Sequence, residues 1–262
     1  MTHLMNRLRR RLGLGPARSG SGRRVRSVRT DALSRFDTAT GRYWLPSDAH
    51  GDVIARAIKE NRIYDKEIVD VARSHIRPAT AVLDVGANFG QMSILFSDLA
   101  GEEGKVYSFE ADDFVFEVLG KNIEAINRNG RIVPVFGAVH EVPGRTLYFP
   151  VQDFVRFGTY GSYGIDYNAS TGRKVTTVTI DSLGISQPVS FMKVDVQGSD
   201  LPAMKGARKT IERHRMPIIF EYEYQFEDEY RLNFQEYVDF VRDIGYRFAK
   251  VINGVNYLIL PR

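Results

Sequence analysis

The residues best suited to chemistry lie where short apolar runs end, and the first group is a glycine-containing loop. Residues 84–90, the glycine loop, read Asp-Val-Gly-Ala-Asn-Phe-Gly and begin within the apolar run 81–85. Gly86 permits a sharp turn close to a ligand, and Gly90 permits a helix to begin near the strand. Free N–H groups in the first helical turn can bind an anion. These residues predict a ligand-binding loop, although a tight turn without a ligand would look similar.

An acidic residue ends the next apolar run. Residues 105–110 read as a strand that ends in Glu110, twenty residues after Gly90. A carboxylate at this place can accept hydrogen bonds from both ribose hydroxyls of a nucleotide. The glycine spacing is Gly-x-x-x-Gly, which differs from the Gly-x-Gly-x-x-Gly pattern of dinucleotide-binding proteins. We therefore expect a ligand that contains a ribose, and the spacing disfavours NAD.

Three further groups could act on a substrate. Asp195 lies at the end of an apolar strand and precedes Gly198, so it could face a transferred group, hold a hydroxyl or bind a metal; it could equally cap the next helix. Glu221 lies near the end of another predicted strand and shares a face with Glu223. His140 follows the third strand, and its titration range suits a base, although a surface histidine is the simpler interpretation.

The pattern of apolar runs predicts a single doubly wound α/β domain of Rossmann-like type, with a mostly parallel seven-stranded sheet. Asn253-Gly254 between the last two strands is a strong hairpin signal, so we expect the sheet to end in an antiparallel pair. The predicted strands are 81–85, 105–110, 132–139, 190–196, 216–223, 246–252 and 255–260, and the predicted helices are 52–60, 63–75, 90–100, 112–128, 199–213 and 233–244.

Three segments complete the predicted organisation. Residues 1–30 hold nine arginines and no acidic residue, and predict a disordered tail that could bind anionic lipid or nucleic acid or act as a transit peptide. Residues 31–78 predict a hairpin and two helices that pack on the core domain, 79–262. Within that domain, 145–180 predicts an inserted β segment. The chain without the tail has 27 basic and 32 acidic residues and is mildly acidic.

The insertion contains an aromatic loop. Tyr160, Tyr163 and Tyr167 alternate with glycines in residues 157–168, which predicts a mobile aromatic lid that contacts a substrate. Aromatic faces suit sugar rings or macrocycles. A loop that serves only in packing is the alternative interpretation.

Composition narrows the possible function classes. The chain has no cysteine, which excludes disulfides, thiolate catalysis and cysteine-based zinc sites. An apolar content of 43% and a charged content of 26% are typical of globular proteins. No run approaches the roughly 20 apolar residues that span a bilayer. We expect a cytoplasmic protein, and the tail leaves peripheral membrane association or organelle targeting open. The sequence does not predict an oligomeric state.

Taken together, these motifs resemble the FkbM-type methyltransferases. The resemblance runs from about Tyr43 to Leu260, and the Asp-Val-Gly-Ala-Asn and Lys-Val-Asp-Val-Gln-Gly segments in this order are its most specific part. It implies a class I methyltransferase sheet with S-adenosylmethionine as the methyl donor. Members of the family methylate hydroxyl oxygens, commonly on glycans or polyketide-type metabolites. The motifs that carry the resemblance lie at 84–90, 104–111, 193–198 and 218–223.

The resemblance also implies roles for individual residues. Glu110 would bind the ribose, Ala138 and Val139 would flank the adenine, and Asp195 would lie near the transferred methyl group. Two positions depart from the common pattern: Ala111 stands where many members have proline, and Gln197 where many have glutamate, which removes a carboxylate. The donor loop would consist of Asp84, Gly86, Ala87, Asn88 and Gly90.

The predicted function is therefore O-methylation of a glycan or secondary metabolite. Asp195, Glu221 and His140 are the candidate bases that could take the hydroxyl proton. A divalent cation could lower the hydroxyl pKa instead, but the sequence has no tight carboxylate cluster that requires one. The alternatives are an NAD-dependent oxidoreductase and a nucleic-acid methyltransferase that uses the basic tail. Because the core domain is not basic, we expect no nucleic-acid partner.

Overall fold

The computed structural model describes residues 32–126, 130–149, 154–161, 163–224, 227 and 232–262, so the predicted tail lies outside the described residues. The strands are β1 Leu33–Thr38, β2 Gly41–Pro46, β3 Ala81–Val85, β4 Lys105–Glu110, β5 Ile132–Phe136, β6 Ala138–Val139, β7 Thr146–Phe149, β8 Arg173–Val178, β9 Val189–Val194, β10 Ile218–Glu221, β11 Tyr246–Ile252 and β12 Asn256–Pro261. The helices are α1 Val53–Lys59, α2 Lys66–His75, α3 Gln91–Ala100, α4 Asp113–Ala125, α5 Phe154–Phe157, α6 Asp200–Lys205, α7 Arg208–His214 and α8 Phe234–Asp243.

A seven-stranded sheet forms the centre of the molecule, in the order β11-β12-β10-β9-β3-β4-β5. The neighbours from β10 to β5 pair in parallel, and β12 pairs antiparallel with both β10 and β11. Every residue of β3 and β9 is buried, as a parallel sheet covered on both faces requires. The predicted α/β class and the closing antiparallel pair are confirmed. Asn253 and Gly254 both have positive φ, which suits a two-residue hairpin turn.

The predicted strand 132–139 is wrong in one respect, because it contains two strands of different sheets. The chain leaves the central sheet at Phe136, turns at Gly137 with φ +148°, and pairs Ala138 and Val139 with β8. A Cβ at position 137 would lie 2.8 Å from Val178 Cγ1, so only glycine fits the turn. The second sheet, β6-β8-β7, contains the predicted insertion strands.

Several predicted boundaries also shift. The helix predicted at 199–213 divides into α6 and α7 around Gly206, whose added Cβ would lie 2.2 Å from the His140 carbonyl oxygen. The predicted helix 63–75 begins only at Lys66, because Asp65 has φ +44°. Strands β9 and β10 each end two residues earlier than predicted, and Asp195 therefore lies in a loop.

The N-terminal segment packs on the central sheet. Tyr43, Leu45 and Ile68 share one buried core with residues of β3 and α3. The Trp44 N–H donates to Asn122 Oδ1 of α4 at 2.6 Å. None of the helices in the described ranges has the length and apolar composition that crossing a bilayer requires.

One carboxylate joins the N-terminal segment to the insertion. Asp52 is buried and caps α1, because its Oδ1 accepts from the Ile54 and Ala55 N–H groups at 3.0 and 2.8 Å. Its Oδ2 accepts from the Tyr160 and Gly161 N–H groups at 2.8 and 3.2 Å. Asp52 therefore fixes the tyrosine-containing loop against α1.

We expect Asp52→Ala to destabilise the protein by roughly 2–4 kcal/mol, since it removes a helix cap and two further hydrogen bonds to a buried charge. Urea unfolding followed by circular dichroism measures the loss. Asp239→Ala, at an exposed position whose partner is Arg242 at 2.7 Å, is the control and should change stability by less than about 1 kcal/mol. Equal effects of the two substitutions would contradict the role given to Asp52.

Candidate active site

A cleft lies at the carboxyl ends of β3, β4 and β9 and contains about 760 Å³ of empty space, including the part open to solvent. Ligands of open α/β sheets bind at this edge. Among the described residues, the cleft is lined by the predicted site residues Gly86, Asn88, Glu110, Ala138, Val139, Tyr160, Tyr163 and Asp195. The predicted residues Asp84, Ala87, Gly90, His140, Tyr167 and Glu221 do not line it.

Gly86 is the tightest point of the glycine loop. Its φ is +81°, and an added Cβ would lie 1.9 Å from the backbone oxygen of Asp195. The Asp195 N–H donates to the Val85 carbonyl at 3.0 Å, and the Gly86 N–H donates to the Phe109 carbonyl at 3.0 Å. The ends of three neighbouring strands therefore meet at a position that only glycine can occupy.

The remainder of the glycine loop contacts α4 and the insertion. Gly90 has φ +88°, and a Cβ there would lie 2.6 Å from Leu119 of α4. Asn88 has φ +50°, and its Oδ1 accepts from the Phe89 N–H at 2.7 Å. A Cβ at Gly161 would lie 2.7 Å from Asn88 Nδ2. The insertion thus closes over the loop at Asn88.

Glu110 is held in place by backbone donors. Its Oε2 accepts from the Asn88 N–H at 2.9 Å, and its Oε1 accepts from the Ala111 and Asp112 N–H groups at 2.8 Å each. Burial raises the pKa of Glu110 to about 7, against the lowering effect of these donors. An ionised carboxylate accepts about four hydrogen bonds, so Oε2 keeps capacity for a ligand hydroxyl.

Asp84 lies behind the cleft in a buried polar network. Its Oδ2 accepts from Ser93 Oγ at 2.5 Å, and Ser108 Oγ donates to Ser93 Oγ at 2.8 Å. Lys193 Nζ lies 3.6 Å from Asp84 Oδ1. Burial raises the pKa of Asp84, and the nearby Lys193 ammonium opposes this effect. We therefore expect Asp84 to stabilise the glycine loop from beneath rather than to contact a ligand.

Lys193 connects the glycine loop to Asp195. It is almost fully buried on β9, and its Nζ donates to the Gly86 carbonyl oxygen at 2.9 Å. The same ammonium lies 3.4 Å from Asp195 Oδ2. Lys193 is not among the site residues predicted from the sequence. A charged residue inside an otherwise apolar strand was the available signal, because a buried lysine needs a partner.

Three carboxyl groups lie together at the end of β9 and β10, and we name Asp195, Asp200 and Glu221 the carboxyl cluster. Gln197 Nε2 donates to Asp195 Oδ1 at 3.4 Å and to Glu221 Oε2 at 3.1 Å. The Glu221 N–H donates to Asp200 Oδ1 at 3.3 Å. Burial, followed by the charge of Asp195, raises the pKa of Asp200 to about 8 and also raises the pKa of Glu221.

Tyr160 and Tyr163 are buried, which favours a packing loop over the predicted mobile lid. Tyr160 stacks on Phe154 with ring centroids 4.8 Å apart, and its hydroxyl donates to Asp48 Oδ1 at 2.7 Å. Tyr163 packs edge-on against the same phenylalanine ring. The alternative interpretation, a packing loop, explains these two residues, which nevertheless form part of the cleft wall. Aromatic contacts between distant segments, which the sequence pattern does not reveal, fix them.

His140 and Tyr167 lie together outside the cleft lining. His140 Nδ1 accepts from the Val142 N–H at 3.0 Å, and its ring lies 5.9 Å from the Tyr167 ring. The Tyr167 hydroxyl donates to Ser199 Oγ at 3.3 Å. Burial lowers the pKa of His140. The geometry therefore favours Asp195 over His140 as a base, and Tyr167 supports the cleft from behind.

Within the ranges that the structure describes, no three His, Asp or Glu side chains are arranged so that they could hold a metal ion together. The carboxyl cluster has instead one ammonium and one amide as its partners, Lys193 and Gln197.

We expect Gly86→Ala to destabilise the protein by more than about 4 kcal/mol, since it combines a positive φ with a backbone overlap. Gly144 is the matched control: its φ is +77°, and an added Cβ would meet nothing within 4 Å. Gly144→Ala should cost only about 1–2 kcal/mol, the strain of the left-handed backbone. Thermal unfolding of the two variants checks this, and similar losses would show that the overlap at Gly86 is unimportant.

Comparison with solved structures gives the fold. A protein from Clostridium thermocellum described as an rRNA methylase has a TM-score of 0.50 at 13% identity, covering 74% of this chain and 93% of that one. A protein from Staphylococcus aureus described as a caffeoyl-CoA O-methyltransferase has a TM-score of 0.50 at 10% identity, covering 80% and 91%. Methyltransferase FkbM from Methylobacillus flagellatus KT has a TM-score of 0.46 at 16% identity, covering 82% and 57%.

Comparison with protein families gives the assignment. No curated protein sequence matches the chain. The Methyltransferase FkbM domain matches residues 84–248, which is more than half of the chain and includes the glycine loop, Glu110 and the carboxyl cluster. The chain therefore belongs to the FkbM methyltransferase family and is an S-adenosylmethionine-dependent methyltransferase.

Proposed function

We propose that the chain methylates a hydroxyl oxygen of a glycan or a hydroxylated secondary metabolite, with Asp195 as the group that accepts the hydroxyl proton. This proposal rests on the position of Asp195. Asp195 lines the cleft directly beside Gly86, and the Lys193 ammonium contacts its carboxylate from behind. Membership of the family establishes methyl transfer from S-adenosylmethionine, and the acceptor and the base are the proposed part.

The residues of the cleft fit S-adenosylmethionine. Glu110 lies at the end of β4, and its Oε2 can accept a further hydrogen bond from a ribose hydroxyl. Gly86 has no side chain, so a ligand can approach the backbone of the glycine loop. Ala138 and Val139 line the cleft beyond Glu110, where an adenine ring would need an apolar wall. When bound, S-adenosylmethionine supplies an activated methyl group on a sulfonium.

The protein must then align the acceptor and remove its proton. Asp195 can accept a hydrogen bond from the acceptor hydroxyl and take its proton as the oxygen–carbon bond forms. Lys193 lies on the Asp195 side of the carboxyl cluster, which favours the negative charge on Asp195 rather than on Glu221. Asp200 and Glu221, with their raised pKa values, remain largely protonated near neutral pH. The cluster therefore presents one carboxylate to the cleft.

The charge of the cleft disfavours an anionic acceptor. The described residues that line it include Glu110, Asp112 and Asp195 but no lysine, arginine or histidine. A nucleic acid would need cations for its phosphates, so the lining disfavours a nucleic-acid acceptor. Tyr160 and Tyr163 provide aromatic surface beside these carboxylates, a combination that suits a sugar ring or a hydroxylated macrocycle.

We expect Glu110→Gln to weaken the binding of S-adenosylhomocysteine by about 10- to 150-fold, because an ionised hydrogen-bond partner contributes roughly 1.5–3 kcal/mol. Isothermal titration calorimetry measures the affinity. Because the pKa of Glu110 is raised to about 7 in the folded state, the wild-type free energy of unfolding falls as the pH rises toward 7 and Glu110 ionises. The glutamine variant cannot ionise at this position and should not show this loss. Wild-type affinity in Glu110→Gln would remove Glu110 from the ribose site.

We expect Asp195→Asn to lower the rate of methyl transfer by about 10²- to 10⁴-fold, while the affinity for S-adenosylhomocysteine changes by only a few fold. The assay uses S-adenosylmethionine with a labelled methyl group and a panel of neutral glycans, hydroxylated macrocycles, amines and RNA. Asp239→Asn is the exposed control and should keep wild-type rates. Label on an amine or on RNA, or an active Asp195→Asn, would contradict the proposal.

A further inference from the structure

We propose that Gln197 is a positioning residue that holds the carboxyl groups of Asp195 and Glu221 together and so fixes Asp195 toward the acceptor, an inference that rests on the role proposed for Asp195. The two hydrogen bonds of its amide nitrogen, 3.4 Å to Asp195 Oδ1 and 3.1 Å to Glu221 Oε2, join groups from two neighbouring strands. Gln197 also lines the cleft.

The backbone does not explain a glutamine at this position. Gln197 has φ +50° and is followed by Gly198 with φ +88°. Glycine and asparagine are the residues that adopt this conformation most readily, whereas glutamine gains nothing from it. The reason for a glutamine therefore lies in its side chain, which is long enough to reach both carboxyl groups.

The charges around Gln197 require a donor rather than another acid. Lys193 Nζ lies 3.4 Å from Asp195 Oδ2, so each oxygen of Asp195 has one partner, the ammonium on one side and the amide on the other. Lys193 also lies 3.6 Å from Asp84 Oδ1, and its single charge is thus shared between two aspartates. A glutamate at 197 would add a further negative charge to the carboxyl cluster, and an ionised glutamate cannot donate a hydrogen bond.

The groups around Gln197 define a pair of carboxyl groups with unequal charge. Lys193 approaches Asp195 from β9, Asp200 approaches Glu221 from α6, and the Gln197 amide lies between Asp195 and Glu221. Three further titratable groups interact electrostatically with these carboxyl groups: Tyr64 and Asp65 before α2, and Glu223 after β10. Like charges this close do not both ionise readily. Gln197 can donate to the pair in either protonation state, whereas an acid at this position would compete for the same protons.

The test compares Gln197→Glu with Gln235→Glu, the same substitution at an exposed glutamine on α8, in the full chain without donor or acceptor. Melting temperatures are measured from pH 5 to pH 9. At pH 5 a protonated glutamate can still donate, and the Gln197→Glu melting temperature should lie within about 2 °C of wild type. Because the folded state raises the pKa of the new acid, stability falls as pH rises, and we expect a loss of roughly 4–8 °C at pH 8.

Gln235 donates to Asp239 at 3.0 Å, so Gln235→Glu also places an acid beside a carboxylate. Because both residues are exposed to solvent, its loss at pH 8 should stay below about 2 °C. If Gln197→Glu does not fold, Gln197→Met replaces it: this variant removes the donor without adding charge, and its loss should also grow with pH, though less steeply. If the melting temperature of the variant used falls by the same amount at every pH, or falls no more than that of Gln235→Glu, the proposal is overturned. The measurement involves no methyl transfer. Its outcome for Gln197 is therefore separate from the outcome of the test of Asp195 as the base.

Discussion

The close approach of two strand ends at Gly86 is the constraint on which the site depends. Backbone groups of Val85 and Asp195 bond directly, and the position between them has no space for a side chain. Lys193 strengthens the same junction because its ammonium binds the Gly86 carbonyl and approaches Asp195. The parallel pairing of β3 with β9 thus brings to one point the glycine loop, which we propose faces the methyl donor, and the carboxylate of Asp195, which we propose faces the acceptor.

The elements outside the central sheet form the walls of the cleft beside this junction. Asp52 caps α1 and binds the backbone of the tyrosine-containing loop, so Ile54, Tyr160 and Gly161 contribute one wall. The second sheet contributes another wall through Ala138 and Phe149. The N-terminal segment and the insertion therefore act on the same ligand space, although about a hundred residues separate them in sequence.

The sequence predicted the central sheet and the glycine loop because both depend on local patterns: apolar runs, glycines and an Asn-Gly turn. It did not predict the split at Gly137, since the chain changes sheets there without a break in apolar character. Lys193 and Asp200 were also missed as site residues, because their importance comes from partners on other strands. The packing of Tyr160 was not predicted for the same reason: its ring stack with Phe154 and its hydrogen bond to Asp48 are tertiary contacts.

A crystal structure of the full chain with S-adenosylhomocysteine would test the central claim most directly. We expect the nucleoside to occupy the cleft, with its ribose hydroxyls within hydrogen-bond distance of Glu110 and its sulfur on the Asp195 side of Gly86. A nucleoside bound elsewhere, or one whose sulfur points away from the carboxyl cluster, would contradict the arrangement of donor and acceptor described above.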